Sequence, residues 1–171
     1  MDHLLYIRGR EGRWRNKRNL GRIRVKSQNQ HRYRNIIRQY YYGCSTANFD
    51  LMMSTFDPDV VHYFVDHSPV RGSEALANYW MKIGPRTQAS WTLDHILIQE
   101  PEAVIEWSMP WTPPRDQKRQ VLRGTEWYIF ENDKIVEIRS YHNNYYLQDP
   151  KNRELWDFPY EERGYIRQTV K

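Results

Sequence analysis

Glu126 and His142 are the residues whose surroundings in this sequence point most directly to chemistry. Each stands in a strand-like run of alternating side chains, Val121–Phe130 and Lys134–His142, joined by the turn Glu131-Asn132-Asp133. Leu122, Glu126, Tyr128 and Phe130 share one face of the first run. Val136, Ile138, Ser140 and His142 share one face of the second, with Glu137, Arg139 and Tyr141 opposite. If the two apolar faces line one interior, each strand carries one ionisable group into it. A carboxyl held in an apolar wall is costly when charged, so its pKa rises. An imidazole titrates near neutrality and can give or take a proton. The chemistry on offer is proton transfer.

Other side chains compete for roles. His62, Phe64 and Asp66 share a face of an earlier strand, and either polar residue can act as a base there. A metal reading of His62, Asp66 and His67 is disfavoured because His67 falls on the other face, and metal sites need three or four convergent ligands. His95 shares a face with Trp91, Leu93 and Leu97, which suits a pocket histidine and a core histidine equally. Trp80, Trp107 and Trp111 are candidates for an aromatic cavity wall. Cys44 has no sequence-adjacent base, and no Ser-His-acid arrangement declares itself. Gly9, Gly12 and Gly21 do not have the spacing of a phosphate-cradling loop, and no cofactor is expected.

The elements that must position these residues follow from periodicity and breakers. A helix is expected from Gln30, with Ile36, Ile37, Tyr40 and Tyr41 on its apolar side, stopping near Gly43. A second, capped by Thr46 or Asn48, runs to the Asp57-Pro58 break. A strand Asp59–Val65 comes next, then a third helix from Ser73 to Gly84-Pro85. The strands Ser90–Gln99, Ala103–Trp111, Val121–Phe130 and Lys134–His142 close the body. Helices followed by a run of antiparallel strands indicate an α+β fold, a cone of three N-terminal helices packed on a curved sheet that encloses a pocket.

The 171 residues suffice for one domain with a real core. With 7 Trp and 13 Tyr, the chain is rich in rings that can line such a pocket. A mean hydropathy of -0.93 and the lack of any apolar run of about 20 residues exclude a membrane span. A single cysteine rules out an internal disulfide and fits a cytoplasmic setting. The net charge of +5 is local, because residues 1–30 carry 9 Lys/Arg against Asp2 and Glu11. Residues 1–28 therefore read as a basic, disordered arm, either simply solvated or holding an anionic polymer. Residues 29–144 form the body, and 145–171 an aromatic, charged extension that packs on the body or on a partner subunit.

The runs Ile37-Arg38-Gln39-Tyr40, Phe49-Asp50 and Phe56-Asp57-Pro58-Asp59-Val60-Val61 resemble the opening of the nuclear transport factor 2-like superfamily. Arg71-Gly72-Ser73-Glu74-Ala75-Leu76 and Asp133-Lys134-Ile135-Val136-Glu137-Ile138-Arg139 are similar to its later helix start and closing hairpin. This superfamily includes ketosteroid isomerase, the SnoaL-like polyketide cyclases, limonene epoxide hydrolase and scytalone dehydratase. The resemblance implies that Tyr40 is an oxyanion-hole tyrosine and Glu126 a protonated acid donating beside it, the pair found in ketosteroid isomerase. That enzyme's base aspartate is replaced by Phe64, so His62 or Asp66 would substitute. The aspartate of the cyclases and the epoxide hydrolase is replaced by Ser140. His95 matches a catalytic histidine of the dehydratases.

These observations lead to a cofactor-independent isomerase, dehydratase or cyclase acting on a small hydrophobic carbonyl compound. Its catalytic candidates are Tyr40, Asp66, His95, Glu126 and His142. Its substrate-binding candidates are Tyr41, His62, Phe64, Trp80, Trp107, Tyr128 and Ser140. The alternative is a non-catalytic small-molecule-binding or dimerisation module of the same fold. Homodimerisation is implied by the resemblance.

Overall fold

The computed structural model describes residues 6–8, 14–114, 117–142 and 155–164, with side chains from residue 30 onward. Strands β1 (Tyr6–Arg8) and β2 (Trp14–Asn16) pair antiparallel. Helices α1 (Lys17–Thr46) and α2 (Phe49–Met53) follow, then strands β3 (Phe56–Phe64) and β4 (Val70–Arg71). Helix α3 (Ser73–Thr87) leads into β5 (Thr92–Gln99), β6 (Glu102–Trp111), β7 (Gln120–Glu131) and β8 (Lys134–His142). Strands β3–β8 form one sheet in the order β4-β3-β8-β7-β6-β5. Every pairing in it is antiparallel except β3 with β8. This is an α+β architecture with an open, mostly antiparallel sheet.

The core lies between the helices and one face of this sheet. Ile37, Tyr40 and Tyr41 of α1 and Leu76 and Trp80 of α3 pack with Val60, Ile105, Tyr128, Phe130 and Ile138. Each such side chain removed from water stabilises the fold by about 1.5–3 kcal/mol. The β7–β8 hairpin turns through Asn132 and Asp133, both in the left-handed region at φ 47° and 61°. These residue types tolerate that conformation in a two-residue hairpin loop. A register shift between Ile129 and Phe130 then leaves one extra residue, Val136, on β8, and this bulge sets Glu126 opposite Ser140 rather than Arg139.

Several element boundaries differ from the sequence expectation. Residues 1–28, read as a disordered arm, contain β1, β2 and the first part of α1, and residues 1–5 and 9–13 lie outside the described residues. Helix α1 does not stop at Gly43. A Cβ there would lie 2.7 Å from Met52 Cγ, so the glycine serves the close approach of α2 rather than a helix end. Helix α2 ends at Met53, and Phe56 already belongs to β3. The register shift between Phe56 and Val61 accommodates Pro58, which cannot donate to a ladder. Helix α3 runs past Gly84-Pro85 to Thr87. A Cβ on Gly84 would meet the Cys44 carbonyl oxygen at 2.8 Å, so here too glycine admits a neighbouring backbone.

The far face of β3 and β8 is covered by residues 155–164. Leu155 and Phe158 are buried with Tyr63 and Val65 in a second, smaller cluster. Trp156 N–H donates to the Phe64 carbonyl at 2.9 Å. Arg163 grips Glu137 through two hydrogen bonds of 2.8 and 2.6 Å, and Arg139 adds a third of 2.6 Å. The Arg139 and Arg163 guanidinium carbons lie 4.9 and 4.6 Å from the Phe158 ring centre. The remainder of the expected extension lies outside the described residues. Among the described residues no helix is long and apolar enough to cross a membrane.

Candidate functional site: a buried carboxyl in an indole-walled cavity

Strand alternation on β7 turns Glu126 and Tyr128 toward the helices, and Glu126 is only 4% exposed. The Tyr41 hydroxyl, from α1, donates to Glu126 Oε2 at 2.7 Å, and the Tyr128 hydroxyl donates to the same oxygen. Ser140 Oγ, from β8, donates to Oε1 at 2.6 Å. Burial pushes the Glu126 carboxyl above the usual carboxylate range, working against the hydrogen bonds from Ser140, Tyr128 and Tyr41. Burial also holds the Tyr41 and Tyr128 phenols well above their ordinary pKa, so both remain neutral donors. Three hydroxyls pointing at one carboxyl make an acceptor's environment. A buried carboxylate whose pKa has been lifted toward neutrality is suited to act as a general base.

Behind Ser140 lies His62 of β3, fully buried, with Nε2 2.5 Å from Ser140 Oγ and 3.8 Å from Glu126 Oε1. Burial lowers the His62 pKa well below its usual value, which keeps the ring neutral. Phe64 stacks on that ring at 3.9 Å.

Glu126 and Ser140 open onto a cavity of about 260 Å³. Its walls include Phe64, Trp80, Trp91, Trp107, Trp111, Met109 and Leu122. Gly124 leaves room for the Trp107 ring to approach β7 closely. A Cβ there would come within 2.5 Å of the indole Cζ2. Asp66, just past the end of β3, and His142, at the end of β8, line the same cavity, with Asp66 Oδ2 3.5 Å from His142 Nε2. Asp66 Oδ1 lies 3.8 Å from His67 Nε2, which meets the Tyr79 hydroxyl at 2.9 Å, while His67 Nδ1 donates to the Ser68 carbonyl at 2.8 Å. The cavity thus faces the hydroxyl-bound Glu126 and the Asp66–His142 pair, and His67 and Arg86 line it as well. Among the described residues, no group of three or more His, Cys, Asp or Glu is placed to hold a metal ion.

Of the residues singled out from sequence, the structure brings Asp66, Phe64, Trp80, Trp107, Glu126, Ser140 and His142 to the cavity. Tyr41, Tyr128 and His62 stand behind its wall as partners of Glu126 and Ser140. Tyr40 is not the tyrosine that bonds Glu126. It packs edge-on to Phe56 and Tyr128 in the core, and the oxygen donor from α1 is Tyr41. His95 is exposed on the outer face of the sheet. The register of β5 on β6 shifts between Leu93 and His95, and this bulge reverses the alternation beyond it. Leu93, Ile96 and Ile98 are then the inward positions, and Leu97 is 64% exposed. Tyr79, Trp91 and Gly124 were not recognised as parts of the site. The first two sit among ordinary apolar positions, and a lone glycine in a strand signals close approach without saying of what.

A family model described as a SnoaL-like domain matches residues 37–138. The chain belongs to this family. It shares 32% identity, over 82% of its own length and 95% of the other, with a protein of unknown function with a cystatin-like fold from Methylobium petroleophilum PM1 (TM-score 0.69). It also has the fold of a putative SnoaL-like polyketide cyclase from Jannaschia sp. CCS1, at 10% identity over 66% of this chain and 86% of that one (TM-score 0.58). An LEH-like epoxide hydrolase from M. tuberculosis gives 14% identity over 66% of this chain and 84% of that one (TM-score 0.58). No curated protein matches. The chain also has the fold of an NTF2-like protein of unknown function from Cytophaga hutchinsonii ATCC 33406, at 12% identity over 65% of this chain and 89% of that one (TM-score 0.53).

Proposed function

We propose that this SnoaL-like protein is a cofactor-independent acid–base catalyst that moves a proton next to the carbonyl of a small, largely hydrophobic compound. Isomerisation, dehydration and cyclisation all begin with that step. The observation that carries the proposal is that Glu126, bonded by three hydroxyls, and the Asp66–His142 pair face one apolar cavity. Membership of a family whose structural neighbours include a putative polyketide cyclase and an epoxide hydrolase-like enzyme supports it.

In this reading the roles differ from those the resemblance implied. Glu126 is the base. It takes the proton from the carbon beside the carbonyl, the C–H electron pair becomes the enol double bond, and negative charge moves to the carbonyl oxygen. His142, oriented by Asp66, hydrogen-bonds to that oxygen or protonates it. The indole walls exclude water and strengthen both interactions. The helices and the sheet form a cone whose interior is this pocket.

Deuterium exchange tests the proposal without knowledge of the physiological product. Aromatic ketones and β-dicarbonyl compounds that bind are held with the protein in deuterated buffer, and label next to the carbonyl is measured by mass spectrometry. Exchange that disappears in Glu126→Gln and falls in His142→Gln supports the base and donor assignments. Compounds that bind tightly but never exchange would overturn the catalytic reading in favour of a binding module of the same fold.

A further inference from the structure

The Glu126–Ser140–His62 contact contains more constraint than the proposed reaction uses. Ser140 Oγ owns one proton and has two close neighbours, Glu126 Oε1 at 2.6 Å and His62 Nε2 at 2.5 Å. While Ser140 donates to an ionised Glu126, its oxygen lone pairs face His62 Nε2, and at 2.5 Å that nitrogen must carry a hydrogen. Otherwise two lone pairs would oppose each other in a buried site. The other ring nitrogen, Nδ1, is buried with no hydrogen-bond partner. An unpartnered lone pair there costs less than an unpartnered N–H, which favours the same tautomer.

We propose that His62 is a positioning residue that locks Ser140 as a permanent donor to Glu126 and so reserves one lone pair of Glu126 Oε1 for the substrate proton. The proposal rests on the assignment of Glu126 as the base. A carboxylate has about four lone-pair sites. Tyr41 and Tyr128 occupy those on Oε2, and Ser140 occupies one on Oε1. The fourth, on Oε1, remains for the cavity. Without His62, Ser140 is free to rotate, and a proton on Glu126 can be held between Oε1 and Ser140, turned away from the substrate. The groups that act electrostatically on Glu126 or bond it come from each neighbouring element. They are Tyr40, Tyr41 and Cys44 of α1, His62 of β3, Tyr128 on its own strand, and Ser140 and His142 of β8.

The test needs no substrate. In protein labelled with ¹⁵N in histidine and ¹³C in the glutamate carboxyl, imidazole nitrogen shifts report the His62 tautomer. The Glu126 carboxyl shift, identified by its loss in Glu126→Gln, reports ionisation. We expect hydrogen on Nε2 throughout the pH range over which Glu126 is ionised. His62→Gln, whose amide N–H reaches the same place, keeps the Glu126 titration near its original position. His62→Met fills the volume without a donor, and the proton affinity of Glu126 rises about tenfold. Ser140→Ala does the same. Hydrogen on Nδ1 of His62 in the ionised state, or a His62→Gln titration that matches His62→Met, overturns the lock. A Glu126 that titrates as described but supports no exchange on any bound compound would instead sink the proposed reaction and leave the lock standing.

Discussion

The hydroxyl of Tyr41 reaches Glu126 Oε2 at 2.7 Å across 85 residues of chain, while its neighbour Tyr40 is turned into the core. One helical position, a rotation of about 100°, separates a tyrosine that tunes a carboxyl from one that packs. Tyr41→Phe removes a donor and leaves the ring. It should raise the pH at which Glu126 ionises and cost about 1–3 kcal/mol above that pH. Tyr40→Phe should leave that titration in place. Carboxyl ¹³C shifts followed in both variants make the comparison, and a Tyr40→Phe effect as large as that of Tyr41→Phe would contradict the geometry.

Replacing Glu126 by Gln distinguishes base from donor. A glutamine still donates but cannot accept a proton, so the base role predicts losses of about 10²–10⁴ in exchange rate for Glu126→Gln and Glu126→Ala alike. Ligand affinity should survive in the glutamine variant. Retention of most exchange activity by Glu126→Gln would return Glu126 to the donor role that the sequence resemblance assigned it.

Gly124→Ala should be harmful despite its small size. The added carbon meets the Trp107 ring at contact distances no real Cβ tolerates, so the indole must shift into the cavity or β7 must bend. An overpacking cost of about 1–3 kcal/mol is expected. Thermal denaturation reads the cost, and near-ultraviolet circular dichroism reads the ring's displacement. An unchanged spectrum with full stability would show that the wall is softer than its packing implies.

Two buried glutamates should give pH dependences of opposite sign. Burial raises the folded-state pKa of Glu126 above the ordinary 4.5, so the stability it contributes is complete below that value. That contribution is lost as pH rises toward the folded pKa. For Glu137, burial opposes ionisation, but hydrogen bonds from Arg163 and Arg139 outweigh it and hold the pKa below 4.5. Its contribution is present above 4.5 and is lost as pH falls through the folded value. Denaturant unfolding from pH 4 to 8 should therefore show Glu126→Gln gaining on the parent as pH rises. Glu137→Gln should lose least at the acid end.

The sheet and the placing of Glu126 were legible because β7 alternates along its length, β8 alternates from Glu137 onward, and their turn residues, Asn132 and Asp133, accept the conformation the hairpin demands. The bulge at Val136, which puts Ile135 rather than Val136 into the core, was not legible. Asp66, Trp107 and His142 also reach the cavity through faces visible in the sequence. His95 was misplaced because one extra residue at a bulge inverts everything beyond it, and no residue type at Leu93-Asp94-His95 announces the bulge. The resemblance pointed to Tyr40 rather than Tyr41; both lie on the apolar side of one helix, and only the long-range contact to β7 separates them. The glycines were read as helix stops where they are points of close packing. Gly43 and Gly84 show that a missing side chain can belong to a neighbour's needs.

The gripped ring of Phe158 bears on where this protein can be cut. The family match stops at residue 138, short of Ser140 and His142 and well before the segment that covers Tyr63 and Val65. A fragment trimmed to that match would keep the sheet's centre, yet it would lack two of the cavity's polar groups and uncover the back of β3. Recognisable ancestry and the packed unit therefore have different edges in this chain, and a minimal fragment that keeps both the cavity and its backing has to extend to Arg163.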